Sequence, residues 1–394
     1  MVQSRVRPPH TTFRPRPSSV LMRYDAIVIG GGLAGCSVAL QLARRNHDVL
    51  LLEKSTYPRH KLCGEFLSPE AQTSLQGLDV LDAVCEAGAT AIDHAHLTGP
   101  GGTTSGHALP GSALGLSRYR LDELLYRQSQ AVGVEGRTGT RVTAVDGSLD
   151  RGFSVQAGGE SLEGRLVIGA YGRRGVLDRT LDRPFLQEQS PYVAFKAHYA
   201  GAPDALPTAI ELHAAPGGYC GVGPVENDRA NVCWIGRTDA LKDAGGTPDA
   251  MLDRLCQNNT ALGERMHGLS RVSDRFEAVS QVPLMPKTRF ANDVCMVGDA
   301  AGMIAPLCGD GMAMALDAAD LLAPLASDWL TGRRSDEAFR TAYRRQWRRR
   351  FGRRMRIGRW VHAAAFRPTL TTALLRTCTV LPPLARWLIR ATRG

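Results

Sequence analysis

Apolar positions at the start of the chain change their period twice within about thirty residues. Tyr24 to Ile29 is a short apolar run rich in β-branched side chains, and Gly30 to Gly35 is a glycine-rich turn. Cys36 to Arg45 then sets Val38 and Leu42 four apart, the spacing of one helix face. A second apolar run, Val49 to Leu52, ends at Glu53. Strand, turn, helix and strand in this order predict one βαβ unit with a right-handed crossover, the start of a parallel sheet.

From Ala89 to Leu116 the texture shifts to short alternating runs broken by Gly, Pro and Thr, which reads as antiparallel strands. Ser117 to Val132 has helical spacing, Arg141 to Val145 and Phe153 to Val155 read as strands, and Leu166 to Gly169 is a buried strand returning to the first sheet. Between Pro191 and Val282 the chain is β-rich. Val193, Phe195, Ala197 and Tyr199 fall on one face of a strand there, with Tyr192, Ala194, Lys196 and His198 on the other. Asp293 to Val297 is a last parallel-type strand, followed by a helix from about Gly311 to Leu325, and beyond Arg340 the pattern is helical with a break at Pro368. The expected class is α/β: a Rossmann-like dinucleotide-binding domain interleaved with a β-rich substrate domain and followed by a helical tail. The expected division gives 24–88, 117–180 and 286–335 to the first domain, 89–116 and 181–285 to the second, and 336–394 to the tail. Residues 1–23, basic and Pro-rich, are expected to be a disordered extension.

Charge alters this picture at one end. The formal net charge is +10, but Thr331 to Gly394 holds 17 Arg, no Lys and only two acids, Asp336 and Glu337, so the tail carries +15 and the rest −5. Such a block reads first as a solvated helix face, and otherwise as a surface for anionic lipid, nucleic acid or an acidic partner. Arg344 to Arg359 is interleaved with Trp347, Phe351, Met355 and Trp360, a pattern compatible with a helix lying at an anionic bilayer surface. Nine scattered cysteines never form C-x-x-C, which argues against a zinc site or a disulfide scaffold and for a reducing cytoplasm. No apolar run approaches the ~20 residues of a membrane span. The expected location is therefore cytoplasmic, with contact at the inner membrane surface through the tail.

The turn Gly30-Gly31-Gly32-Leu33-Ala34-Gly35 has G-x-G-x-x-G spacing between a strand and a helix. Gly30 permits the tight turn, Gly32 lets backbone approach a diphosphate, and Gly35 lets helix and strand pack closely, with Leu33 and Ala34 at the helix N-terminus that faces the phosphates. Glu53, 18 residues after Gly35, is positioned to accept from ribose hydroxyls, with Lys54 beside it. Dinucleotide binding is the expectation.

A second strand-turn pattern, Val294-Cys295-Met296-Val297-Gly298-Asp299-Ala300-Ala301-Gly302, precedes Gly309-Asp310-Gly311-Met312. Here the chain resembles the FAD-dependent oxidoreductases of the p-hydroxybenzoate hydroxylase-like (group A) superfamily, and within it the geranylgeranyl reductase family, over about Tyr24 to Leu325. Two further segments carry the likeness. Pro58-Arg59-His60-Lys61-Leu62-Cys63-Gly64-Glu65 is similar to the family's P-R-x-K-x-C-G segment, and Arg118 to Asp122 is similar to its R-x-x-(F/L)-D pattern. The resemblance implies FAD as cofactor, with Asp299 on the ribityl chain, Ala301 and Gly302 at the diphosphate, and Gly309, Gly311 and Met312 by the ring. It also implies that Lys61 and Cys63 run past the flavin and that Arg118 contacts its phosphates or ribityl chain.

The chain departs from that pattern twice. Where hydroxylases of the superfamily carry Asp-Gly, it reads Ala170-Tyr171-Gly172-Arg173-Arg174, so Arg173 and Arg174 become candidates for a phosphate. The aromatic Y-x-W-x-F-P stretch of isoprenoid-reducing members is replaced by Gly217 to Val225. Cys63, Lys196 and Tyr219 are the candidate catalytic residues of the substrate cleft, and His94, His96 and His198 are further cavity candidates. The expected activity is FAD-dependent reduction or dehydrogenation of an apolar prenyl, lipid or polyketide-like molecule, with NADH or NADPH as electron donor. A monooxygenase, or a non-catalytic flavoprotein recruited by its tail, are the alternatives.

Overall fold

Continuous apolar runs such as Ile27-Val28 and Leu50-Leu51 have no polar face to offer water, so they fold as strands covered on both sides. The computed structural model describes residues 24–381 together with 383, 387 and 391; the basic extension expected at 1–23 lies outside the described residues. In the first sheet, strands Val294–Met296, Glu160–Gly169, Tyr24–Ile29, Val49–Leu52 and Glu135–Arg137 lie side by side, all parallel. Helices Leu33–Ala43, Arg118–Ala131 and Gly311–Leu330 pack around it, and one apolar core runs through all of them.

The second sheet has nine strands, built mainly on Thr90–Thr98, Thr104–Gly115 and the antiparallel set Tyr192–Gly201, Arg229–Arg237, Gly218–Val225 and Ile210–Ala215. Tyr192–Gly201 alternates as its sequence predicts. Val193, Phe195, Ala197 and Tyr199 enter a core capped by the helix Pro248–Asn258, while Ala194, Lys196 and His198 point toward the first lobe.

Two segments cross the expected domain boundaries. Phe66–Leu67, drawn with the first lobe, pairs with Thr104–Gly115 in the second sheet. The stretch after Thr180, drawn with the second lobe, stays on the first, because the buried Arg183 donates to Asp178, Ala300 O and Thr288 O.

The arginine-rich tail begins with a single helix, Asp336–Ala365, started by Ser335, whose hydroxyl accepts from the Ala338 amide. Phe339, Tyr343, Trp347, Phe351 and Met355 follow helical spacing and all belong to the main core. Three of the residues expected at a bilayer, Trp347, Phe351 and Met355, are thus covered by the protein itself; Trp360 remains 60% exposed. After Pro368 a shorter helix, Pro368–Val380, lies against the second sheet. Among the described residues no helix is long and apolar enough to cross a membrane.

Candidate active site

The glycine turn is held from beneath by backbone. Gly30 adopts φ of +110°, and a side chain there would press on Ala170 O at 2.5 Å. A Cβ on Gly35 would fall 1.8 Å from Gly30 O, so helix and strand touch only because that position has no side chain. Gly32 differs, since a Cβ there would meet no backbone and would point toward Lys61 Nζ at 3.2 Å and Arg118 at 3.6 Å. Two cations and a helix N-terminus converge on the space in front of Gly32, a cradle that suits a diphosphate.

Buried carboxylates hold Arg118, and Arg59 behind it, in place. Asp122, fully buried, accepts from Arg118 Nε at 2.6 Å and from Arg59 at 2.9 Å, and Arg59 reaches on to Glu53 at 3.1 Å. Glu53 also accepts the Gly31 amide at 2.8 Å and the Ser55 amide at 3.0 Å, which fixes it at the end of its strand. Burial, then the neighbouring charges of Arg118 and Arg59, pull the Lys61 ammonium down to about 8. A diphosphate in the cleft reverses that repulsion. FAD binding is therefore expected to take up a proton near pH 8 to 9, and affinity should fall about tenfold per pH unit as pH rises above 8. Titration calorimetry in buffers of different ionisation enthalpy checks this, and a pH-independent affinity between 7 and 10 would contradict it.

The opposite wall comes from the far end of the chain. Gly298, at φ of +60°, packs so closely on the first helix that a Cβ would lie 2.9 Å from that of Ala34. Gly298 and Asp299 thereby line the same cleft as Gly32, Leu33, Ala34, Lys61, Cys63 and Arg118, with Gly309, Gly311 and Met312 closing it. Ala301 and Gly302 do not join them. Their amides, expected at the diphosphate, are both spent on Gly298 O, and Ala301 O is held by Arg289. The helix opens instead at Gly311, after Gly309 in a left-handed conformation. Lys54 is exposed and does not line the cleft, while Arg173 does and Arg174 turns away to Gln281.

The three candidate catalytic residues separate. Cys63 lines the cleft, its sulfur accepting the Glu65 amide at 3.4 Å. Lys196 is only 2% exposed and is spent in an ion pair with Glu65 and a bond to Lys61 O. Tyr219 is 3% exposed, and its hydroxyl accepts the Leu307 amide at 3.1 Å beside His362. Neither lines the cleft: Lys196 is tied to the backbone of Lys61, which does, and Tyr219 to that of Leu307, one residue past the lining Pro306. His94 and His96 are exposed on the strand Thr90–Thr98, away from it.

Glu65 escaped the sequence reading. It is 1% exposed, has φ of +54°, and accepts from Lys196, from His198 at 2.6 Å and from the Arg118 amide at 2.7 Å. Asn231 adds a bond to Cys63 O at 3.1 Å, so three polar residues of the second sheet clamp the loop 61–65 that forms one wall of the cleft. A lysine on a buried strand face, with a histidine two residues on, requires an acid, and that was the available signal.

On its inner side the cleft meets an apolar cluster of Ala194, Tyr219, Ile235, Leu284 and Met303, flanked by Leu62, Tyr192, Leu307 and Phe366. Leu62 and Met303 belong to both.

The sequence pattern of the FAD binding domain family matches residues 23–356. The chain is 28% identical to a menaquinone reductase of Mycolicibacterium smegmatis over 75% of its own length and 74% of that protein's. It is 27% identical to digeranylgeranylglycerophospholipid reductase 2 of Methanothermobacter thermautotrophicus, covering 85% and 86%. Among solved structures it is similar to the flavin-dependent brominase Bmp2, with a TM-score of 0.78 at 19% identity and coverage of 94% and 93%. The myxobacterial chondrochloren halogenase CndH gives 0.73 at 24% identity, covering 84% and 80%. These last two likenesses concern the fold.

Proposed function

The chain belongs to the FAD binding domain family and is an FAD-dependent oxidoreductase; on that premise we propose that it reduces a carbon–carbon double bond in a prenylated, quinone-like or lipid-like substrate, with NADH or NADPH as electron donor. Bound FAD supplies the hydride chemistry. The chain's own residues would hold it: the amides from Gly32 onward, Lys61 and Arg118 at the diphosphate, Glu53 at the adenosine end, Asp299 at the ribityl chain, and Gly309 to Met312 toward the ring.

The observation that carries the substrate reading is the continuity between this cleft and the apolar cluster around Met303, Leu307 and Tyr219. An apolar wall excludes water and receives a prenyl chain by area alone, without polar anchors. Relatives named as reductases, aligned over about three quarters or more of both chains, support reduction ahead of hydroxylation, since the relative named a monooxygenase aligns over 41% of this chain. Cys63 is the proposed catalytic side chain, being the one candidate of the three in the cleft, and Lys196 and Tyr219 are positioning residues. Peripheral contact with a membrane is part of this reading, because such substrates reside there.

Purified protein should be yellow, and its flavin absorbance should bleach on anaerobic addition of NADH or NADPH. Subsequent menaquinone or a geranylgeranyl lipid should restore the colour and be recovered with one double bond saturated. Oxygen consumption stoichiometric with a hydroxylated product would establish the monooxygenase instead.

A further inference from the structure

The arginine helix presents a second site that the flavin chemistry does not use. Along its outer side Arg345, Arg349 and Arg353 recur every four residues, one above the next, and line a groove of about 970 Å³ with Leu321, Ala342 and Trp387. Neighbouring arginines are already neutralised: Arg334 by Asp328, Arg350 by Asp317 at 3.0 Å and Arg354 by Asp310 at 3.2 Å. Among the described residues Arg345, Arg349 and Arg353 form no ion pair, and residues 382–394 contain no acidic side chain to supply one. The groove is thus a row of three uncompensated guanidinium groups over an apolar floor.

We propose that this groove binds the phosphate headgroups of anionic phospholipids and seats the enzyme on a bilayer. Guanidinium groups pair with phosphate oxygens through two parallel N–H bonds, and the row matches a surface dense in such groups. A bilayer is favoured over a nucleic acid by the exposed apolar side chains of the same C-terminal region, one of which, Trp387, lines the groove. Trp360 (60% exposed), Val380 (77%), Leu381 (53%) and Trp387 (49%) stand on the same C-terminal region and gain from a headgroup–acyl boundary, whereas a sugar–phosphate backbone leaves them wet. The same helix, 13 residues past Arg349, carries His362, with Phe366 at its C-terminal cap, against Tyr219 of the apolar cluster on the inner side of the cleft. At 1.5 Å per residue the two lie roughly 20 Å apart along the axis, so docking the groove holds the apolar cluster beside the cleft within about that distance of the lipid surface. This inference rests on the substrate reading above and names the surface from which the substrate is drawn.

The test is flotation of the flavin-loaded full chain with phosphatidylcholine vesicles, with and without phosphatidylglycerol. Binding is expected only with the anionic lipid, and it should weaken as salt is raised. Replacing all three arginines, Arg345→Gln, Arg349→Gln and Arg353→Gln, should reduce binding roughly a hundred-fold. The variant should keep its flavin spectrum and its saturation of the side chain of a water-soluble short-chain prenylated quinone, because the three arginines are exposed and touch no part of the cleft. Unchanged flotation of the triple variant, equal binding to neutral vesicles, or tighter binding to a DNA duplex than to vesicles would each overturn the proposal. A wild-type protein that floats but saturates no prenyl double bond would instead count against the enzymatic reading alone.

Discussion

Gly32→Val yields a folded but colourless protein. The added side chain meets only the far ends of Lys61 and Arg118, which can swing aside, so the βαβ unit survives. Its methyl groups nevertheless occupy the space in which a diphosphate meets the helix amides. Losing even two charge-assisted hydrogen bonds, at about 1.5–3 kcal/mol each, weakens FAD binding by a hundred-fold or more. Gly35→Ala is the contrasting change. There the new carbon strikes Gly30 O, which is backbone and cannot move without parting helix from strand, so the fold itself should fail. The two are told apart by flavin absorbance per chain after gel filtration together with far-ultraviolet circular dichroism. One FAD retained per Gly32→Val chain would remove the diphosphate site from this turn.

Lys196→Met is expected to cost about 3–5 kcal/mol of stability at pH 7, because it strands the Glu65 carboxylate in the interior without its ammonium partner, with only the bonds from His198 and the Arg118 amide left. Burial by itself raises the Glu65 pKa, but Lys196 and His198 outweigh it and hold the carboxyl at about 2, against an ordinary 4.5. A carboxyl depressed on folding contributes stability that is present above the unfolded value and is lost as pH falls through the folded one. The window therefore runs from about 4.5 down to 2, and its depth for this single group is about 3 kcal/mol. Urea titrations at pH 7, 4 and 3 should show the wild type losing stability across that window and Lys196→Met losing less. Adding Glu65→Gln should restore part of the deficit, since it removes the stranded charge, and strictly additive losses in the double variant would rule out the pair.

The loop 61–65 explains why this pair matters to function. It supplies Lys61, Leu62 and Cys63 to the cleft, yet it is anchored from the second sheet by Lys196, His198 and Asn231. Lys196, expected among the catalytic residues, acts one layer back. The loss of stability in its variant should be accompanied by weaker flavin retention, as the wall of the cleft relaxes.

What could be read from the chain alone was whatever depends on local spacing. Strand, glycine turn, helix and terminal acid are contiguous: Gly30 and Gly35 sit where a tight turn and a close approach leave no room for a side chain, Gly32 keeps the space before the helix open, and Glu53 ends the second strand against the Gly31 amide. The turn at Gly298-Asp299 was legible for the same reason, and the alternation along Tyr192–Gly201 announced both of its faces. Tertiary structure decided everything that needs a partner distant in sequence. Glu65 acquires its meaning 131 residues away at Lys196, and the amides of Ala301 and Gly302 are withdrawn by a hydrogen bond to Gly298 that spacing does not reveal. Likewise the aromatic side of the arginine helix turned inward because a core was there to receive it. Periodicity records which positions share a face; burial depends on what the rest of the chain brings against that face.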